Sequence, residues 1–227
     1  MSREQVLGSI RRGLRRGPLP EDQKVALVAR MAAHPRHLIP ARSRIPHAEQ
    51  VALFMANLER EFATHSRVAP HDVPAAIAQY LAGLNLPAEL LLAPHPELRA
   101  LPWETRPLLS RTEGRATGSE MVSVQHGYAG IAETGTLMLP SASDRPTTLN
   151  LLPDTAIVVL RTARIVGAYE EAWDLLRAEH VDARTGGAMP RNVMLVTGPS
   201  RSADIESVLE LGAHGPRRLH VVLVDET

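Results

Sequence analysis

The feature that most constrains this chain is a series of short apolar runs with no polar alternation. They are Leu90-Leu91-Leu92-Ala93, Met121-Val122-Ser123-Val124, Thr136-Leu137-Met138-Leu139, Ala156-Ile157-Val158-Val159-Leu160, Asn192-Val193-Met194-Leu195-Val196 and Leu219-His220-Val221-Val222-Leu223-Val224. A strand with one wet face alternates apolar with polar residues, so runs that are apolar throughout belong to a sheet covered on both faces. Helical stretches lie between them. Ile77, Tyr80, Leu81 and Leu84 mark a helix opened by Asp72 and Pro74, after a short strand at Arg67-Val68-Ala69. Tyr169, Ala172, Trp173 and Leu176 mark another, and a third is predicted over roughly 203–211. Strand–helix alternation implies parallel connections, hence an α/β fold of three layers, α/β/α, around a mostly parallel sheet. Aromatic residues make up only 3% of the 227, so aliphatic packing must build the core.

The first 65 residues read differently, as helices. Ser2 and Gln5 fit a capping box, and Val6, Leu7, Ile10 and Leu14 follow at helical spacing. Gly17-Pro18-Leu19-Pro20 ends that helix, and a second is predicted over 22–33. Pro35, Pro40 and Pro46 make 34–46 a loop or strap, and Val51, Phe54, Met55, Leu58 and Phe62 put one apolar face on a helix over 47–64. The division expected is therefore a basic helical N-terminal extension, 1–46, and an α/β domain, 47–227.

The charge of the whole chain, 25 basic and 25 acidic side chains, argues against a nucleic-acid or other polyanion binder. Residues 1–46 nevertheless carry net +7 and the remainder net −7. Arginine-rich composition accounts for this; alternatively the arm docks on an acidic surface, its own in a homo-oligomer or that of a partner. The sequence has no cysteine, which excludes disulfides, thiol nucleophiles and iron–sulfur clusters held by this chain alone. No run approaches the ~20 apolar residues of a membrane span, and the opening residues lack a signal-peptide core. The expectation is a cytoplasmic protein.

Three segments have residue types that could carry chemistry. In Gly127-Tyr128-Ala129-Gly130-Ile131-Ala132-Glu133-Thr134-Gly135-Thr136, the glycines allow close backbone approach, and Glu133 could act as base, nucleophile or cation contact. Equally, Glu133 could pair with an arginine while Thr134 and Thr136 satisfy their own backbone. In Thr197-Gly198-Pro199-Ser200-Arg201-Ser202, a strand leads into the predicted helix, a natural site for an anion at Gly198, Ser200 and Arg201. Asp204 and Glu206 already complement that helix dipole, which favours a carboxylate or single phosphate over a triphosphate. In Gly212-Ala213-His214-Gly215-Pro216, His214 is an acid–base candidate in a loop, or part of a plain turn. No P-loop or dinucleotide fingerprint is present. His34-x-x-His37 lacks carboxylates beside it, so no metal site is expected. Ser200, Asp204 and His214 have triad residue types without the spacing of a nucleophile elbow.

Taken in order, Gly130-Ile131-Ala132-Glu133-Thr134-Gly135-Thr136, Arg145-Pro146, Leu151-Leu152-Pro153, the run 156–160, Gly198 to Glu206 and Gly212 to Pro216 resemble the LUD (lactate-utilization) domain family, over about 47–225. The resemblance implies a fold like the NagB/RpiA/CoA-transferase class. It implies a place in a bacterial system that oxidises L-lactate to pyruvate together with iron–sulfur partner proteins. Without cysteine, this chain would be a non-redox subunit with no cofactor of its own, binding a small carboxylate or phosphate at the strand carboxyl ends. The site carried over by position is Glu133, Thr134, Gly135, Thr136, Ser200, Arg201, Asp204 and His214. The alternative is a free-standing enzyme of the CoA-transferase or sugar-phosphate-isomerase type.

Overall fold

The structure is a computed structural model that describes residues 2–15, 17–179, 189–203 and 209–225. The chain divides into two compact units, Met1–Leu38 and Ile39–Thr227, so residues 39–46 belong with the second. In the first unit, α1 (Arg3–Gly13) begins with the expected capping box: Ser2 Oγ accepts from the Gln5 N–H at 3.2 Å, and Gln5 Oε1 accepts from the Ser2 N–H at 2.7 Å. α2 (Glu21–Ala33) follows Pro20, and His34 closes it in the left-handed region. Neither helix contains a buried residue.

The second unit is built on a six-stranded sheet. Its strands are β1 (Thr64–Val68), β2 (Glu89–Leu92), β3 (Ser110–Glu113), β4 (Val122–His126), β7 (Thr155–Arg161) and β12 (Arg218–Val224), in the order β1-β12-β7-β4-β2-β3. Every neighbouring pair is parallel. Side chains point to alternate faces along a strand, and β7 shows why both faces needed apolar residues. Ile157 and Val159 join a core with Val73, Ile77 and Leu81 of α4 (Val73–Gly83). Ala156, Val158 and Leu160 join a core with Val51, Phe54 and Leu58 of α3 (His47–Arg60). The mostly parallel α/β layering read from the sequence is present.

Beside α3 a second, mixed sheet adds to this second face. Its strands are β5 (Ala129–Ile131), β6 (Thr136–Pro140), β8 (Ile165–Val166) and β9 (Val193–Val196), in the order β8-β5-β6-β9. β6 runs antiparallel to both neighbours, so the apolar runs at 136–139 and 192–196 leave the parallel sheet. α6 (Tyr169–Glu179) packs Ala172 and Leu176 against Ile131 and Met138 of this sheet.

One expectation is overturned. Residues 203–211 do not form a helix at either described end: β10 (Arg201–Ala203) and β11 (Leu209–Leu211) pair antiparallel, Arg201 opposite Leu211. Backbone partners extend this ladder, with Ser200 N–H to Pro216 O at 2.8 Å and Gly212 N–H to Ser200 O at 3.0 Å. Cross-strand partners take backbone groups that a helix start would leave open, so among the described residues Ser200 and Arg201 lead into a strand and not a helix.

Candidate functional site

In an open parallel sheet, ligands bind outside the carboxyl ends of the strands. Here β2, β4, β7 and β12 deliver His95, His126, Arg161 and Asp225 to that edge, at or just beyond their last residues. α5 (Pro96–Arg99) starts there too; His95 is its N-cap, and its Nδ1 accepts from the Glu97 N–H at 3.3 Å. The His95 and His126 rings stack, with centroids 3.7 Å apart and planes 13° from parallel.

Charged groups flank the stacked pair in an alternating row. His126 Nε2 lies 3.4 Å from Glu97 Oε2, and that carboxylate takes a hydrogen bond from Arg161 Nε at 2.8 Å. On the other side His95 Nε2 is 3.7 Å from Asp144 Oδ2, and Arg145 Nε is 3.6 Å from Asp144 Oδ1. The partners fix the tautomers. A carboxylate only accepts, so the His126 proton belongs on Nε2; His95 Nδ1 accepts from backbone, so its proton also belongs on Nε2. His126 Nδ1 is then a lone pair, and it is buried with no hydrogen-bond partner.

The row opens on a cleft of about 500 Å³, whose walls include Glu97, His126, Arg161 and Asp225 and whose apolar lining includes Leu98, Leu101, Val159 and Val224. Burial pushes His126 down to about 4, and the neighbouring His95 adds to this. His95 is also lowered, again first by burial, against the pull of Asp144. Burial disfavours a charged Glu97, but Arg161 and His126 outweigh it and hold this carboxyl below its ordinary range. Burial thus favours the neutral form of both imidazoles, beside a Glu97 carboxyl held toward its ionised form.

None of these groups was among the candidates taken from the sequence. The signal was there in part, since His126 directly follows a strand run and Ala93-Pro94-His95-Pro96-Glu97 directly follows another.

The sequence candidates lie elsewhere. Glu133 sits in the turn between β5 and β6, where its carboxylate accepts from Arg42 Nη2 at 2.9 Å and its side chain is 13% exposed. Its backbone is also held, N–H to Gly167 O at 3.0 Å and carbonyl to Asn57 Nδ2 at 3.1 Å. Gly135 has φ +68°, and a Cβ there would meet the α3 backbone at 2.8 Å, so only glycine suits this turn. Thr134 and Thr136 share a hydroxyl cluster with Tyr169, and Thr136 reaches Thr197 at 2.6 Å.

The loop after β9 is tied down as well. Gly198 has φ +80° against the Glu61 carbonyl. Arg201 Nη2 bonds Glu61 Oε2 at 3.2 Å and lies 4.2 Å over the Phe62 ring. Ser200 Oγ accepts from the His214 N–H at 3.1 Å, which joins those two loops through backbone, not through the imidazole. Asp204 lies outside the described residues. This group stands beside the amino ends of β7 and β12, where Arg218 pairs with Asp154. The cavity lined there by Gly198, Pro199 and Pro216 holds about 20 Å³, room for roughly one water.

Comparison with known proteins accounts for the fold. The LUD domain family matches residues 122–224. That span includes His126, Asp144, Arg145 and Arg161, whereas His95 and Glu97 precede it. Lactate utilization protein C of Bacillus subtilis (strain 168) is 36% identical over 96 residues, 42% of this chain and 39% of that protein. Lactate utilization protein C of Geobacillus kaustophilus is 30% identical over 120 residues, 53% of this chain and 49% of that protein. The Escherichia coli K12 protein YkgG is 31% identical over 105 residues, 46% of this chain and 44% of that one. The matched part of the chain spans about half or less of these relatives. The crystal structure of a DUF162 family protein from Deinococcus radiodurans shares the fold, with TM-score 0.59 at 24% identity over 79% of this chain and 99% of that one. Among the described residues, no helix is long and apolar enough to cross a membrane, and no group of three His, Asp or Glu side chains could hold a metal ion.

Proposed function

We propose that this chain serves lactate utilization as a non-redox component, binding a small carboxylate in the cleft at the carboxyl edge of its parallel sheet. The observation that carries the pathway is the likeness of the LUD segment to proteins named for lactate utilization in two bacteria. With no cysteine in the sequence, thiolate-held iron–sulfur clusters would belong to partner proteins. The position of the ligand follows from the strand-end rule and from the roughly 500 Å³ of space there, which suits a three-carbon acid with room for part of a partner or co-substrate.

The test is removal of this chain from its host. Growth on L-lactate and lactate oxidation in extracts should both fall, and restoring the chain should recover them. Unchanged growth and oxidation would sink the pathway assignment.

A further inference from the structure

We propose that the stacked pair His95 and His126 makes carboxylate binding in the cleft proton-coupled: one small carboxylate and one proton enter together, the proton held on the imidazole pair with His126 as its acceptor at the cleft wall. This rests on the reading that the cleft takes a carboxylate; it does not depend on the pathway.

Charge balance is the argument. Facing the stacked pair are Glu97 from the segment after β2, Arg161 from β7, and Asp144 and Arg145 from the segment after β6, while Asp225 on the cleft wall is paired by Arg67. Glu97 is matched by Arg161, and Asp144 by Arg145. With both rings neutral this row sums to zero. A carboxylate placed against it adds one negative charge beside an apolar lining that includes Leu98, Leu101, Val159 and Val224. An uncompensated charge in such surroundings is unfavourable. Arg161 alone cannot compensate it without giving up Glu97. Protonating an imidazole restores the balance, and the site has a place for that proton: His126 Nδ1 is buried and unpartnered while Nε2 already faces Glu97. The stack limits uptake to one proton, because a second would set two positive rings 3.7 Å apart. Glu97 acts here as a positioning residue, fixing the His126 ring while Arg161 fixes Glu97.

Calorimetric titration of the full chain with L-lactate, pyruvate and acetate between pH 7 and pH 5, in MES and in Bis-Tris, tests this. The buffer dependence of the heat counts protons. Affinity should rise as pH falls, toward the limit of about tenfold per pH unit set by one proton taken up. The His126→Gln variant should lose both the uptake and the pH dependence. In the unaltered protein, the NMR titration of the His126 ring should move to higher pH when acetate is added, a readout that does not rely on any variant folding. Binding that is independent of pH, with no buffer-dependent heat and an unmoved His126 titration, would overturn the coupling. No binding of any of the three acids at any pH would overturn the cleft as a carboxylate site. The pathway assignment stands or falls separately, on growth after removal of the chain.

Discussion

The two ends of the parallel sheet use similar residues to opposite effect. At the amino end stand Ser200, Arg201, His214 and Arg218, and each has a local partner: the His214 N–H bonds Ser200, Arg201 meets Glu61, and Arg218 meets Asp154. The space beside them, about 20 Å³, is closed by backbone ladders. At the carboxyl end stand His95, Glu97, His126 and Arg161, and one imidazole nitrogen has no partner beside a cleft of about 500 Å³. Polar side chains at a sheet end do not by themselves make a site. Unpartnered buried atoms occur at the amino end too, at Asn150 Oδ1 and Thr155 Oγ1, so what distinguishes the two ends is the open volume beside such groups.

If that contrast is right, the amino end is structural and should respond in stability. Gly198→Ala should have the largest effect, a loss of about 3 kcal/mol or more, because positive φ alone costs ~1–2 kcal/mol for a side-chain-bearing residue and the Cβ would also strike the Glu61 carbonyl. Chemical denaturation measures it; a loss within experimental error would mean the loop after β9 can move. A comparable effect should come from pH. His126 and His220 are both held down to about 4, first by burial, then by His95 and His65 respectively. Unfolded, each titrates near 6.5, so the unfolded chain binds more protons between these values and stability falls as pH drops through that window. For each ring the loss on acidification amounts to up to about 3 kcal/mol, none of it felt above pH 6.5 and nearly all of it by pH 4. Added acetate should remove the part due to His126 and leave that of His220, which is buried between Tyr80, Thr64 and Ser66. Equal slopes with and without acetate would erase the distinction between the two rings.

Smaller effects sharpen the comparison further. Arg201→Ala removes a partly exposed ion pair and a contact with Phe62, for a loss of about 1 kcal/mol and no change in carboxylate affinity. A clear fall in affinity there would return the ligand to the amino end. His126→Gln should change stability least, within about 1 kcal/mol at pH 7, since it replaces a ring whose buried nitrogen is already unsatisfied. Its effect belongs in binding, and a thermal unfolding curve beside a titration separates the two.

The parallel sheet was legible because burial on both faces leaves no polar alternation, as along Ala156–Leu160. β3 was not: Ser110-Arg111-Thr112-Glu113 is an exposed edge strand with no apolar residue, and only pairing with β2 makes it a strand. The segment 203–211 misled for a physical reason. Pro199, Ser200, Asp204 and Glu206 together look like a helix start, but Ser200 and Arg201 are held by Pro216 and Leu211, ten or more residues further along the chain. The carboxyl-end cluster was half legible. His95 and His126 each sit at the end of a recognisable strand run, yet their stacking depends on β2 lying next to β4, which no local pattern states. Glu133 drew notice for its glycines, and Gly135 does serve a close approach, but to the backbone of α3.

The place of β12 between β1 and β7 has a consequence for how the protein is made. Among the described strands β1 has no partner except β12, and β12 is synthesised after every other one of them. On the ribosome, β7, β4, β2 and β3 can pair early, while β1 must wait as an open edge for residues 218–224 to emerge. Joining strands so far apart in sequence is slow, and an unpaired edge invites association with other chains. The nascent protein therefore passes through a stage in which its earliest strand is its most vulnerable one, and completing the sheet is a late event in its biogenesis.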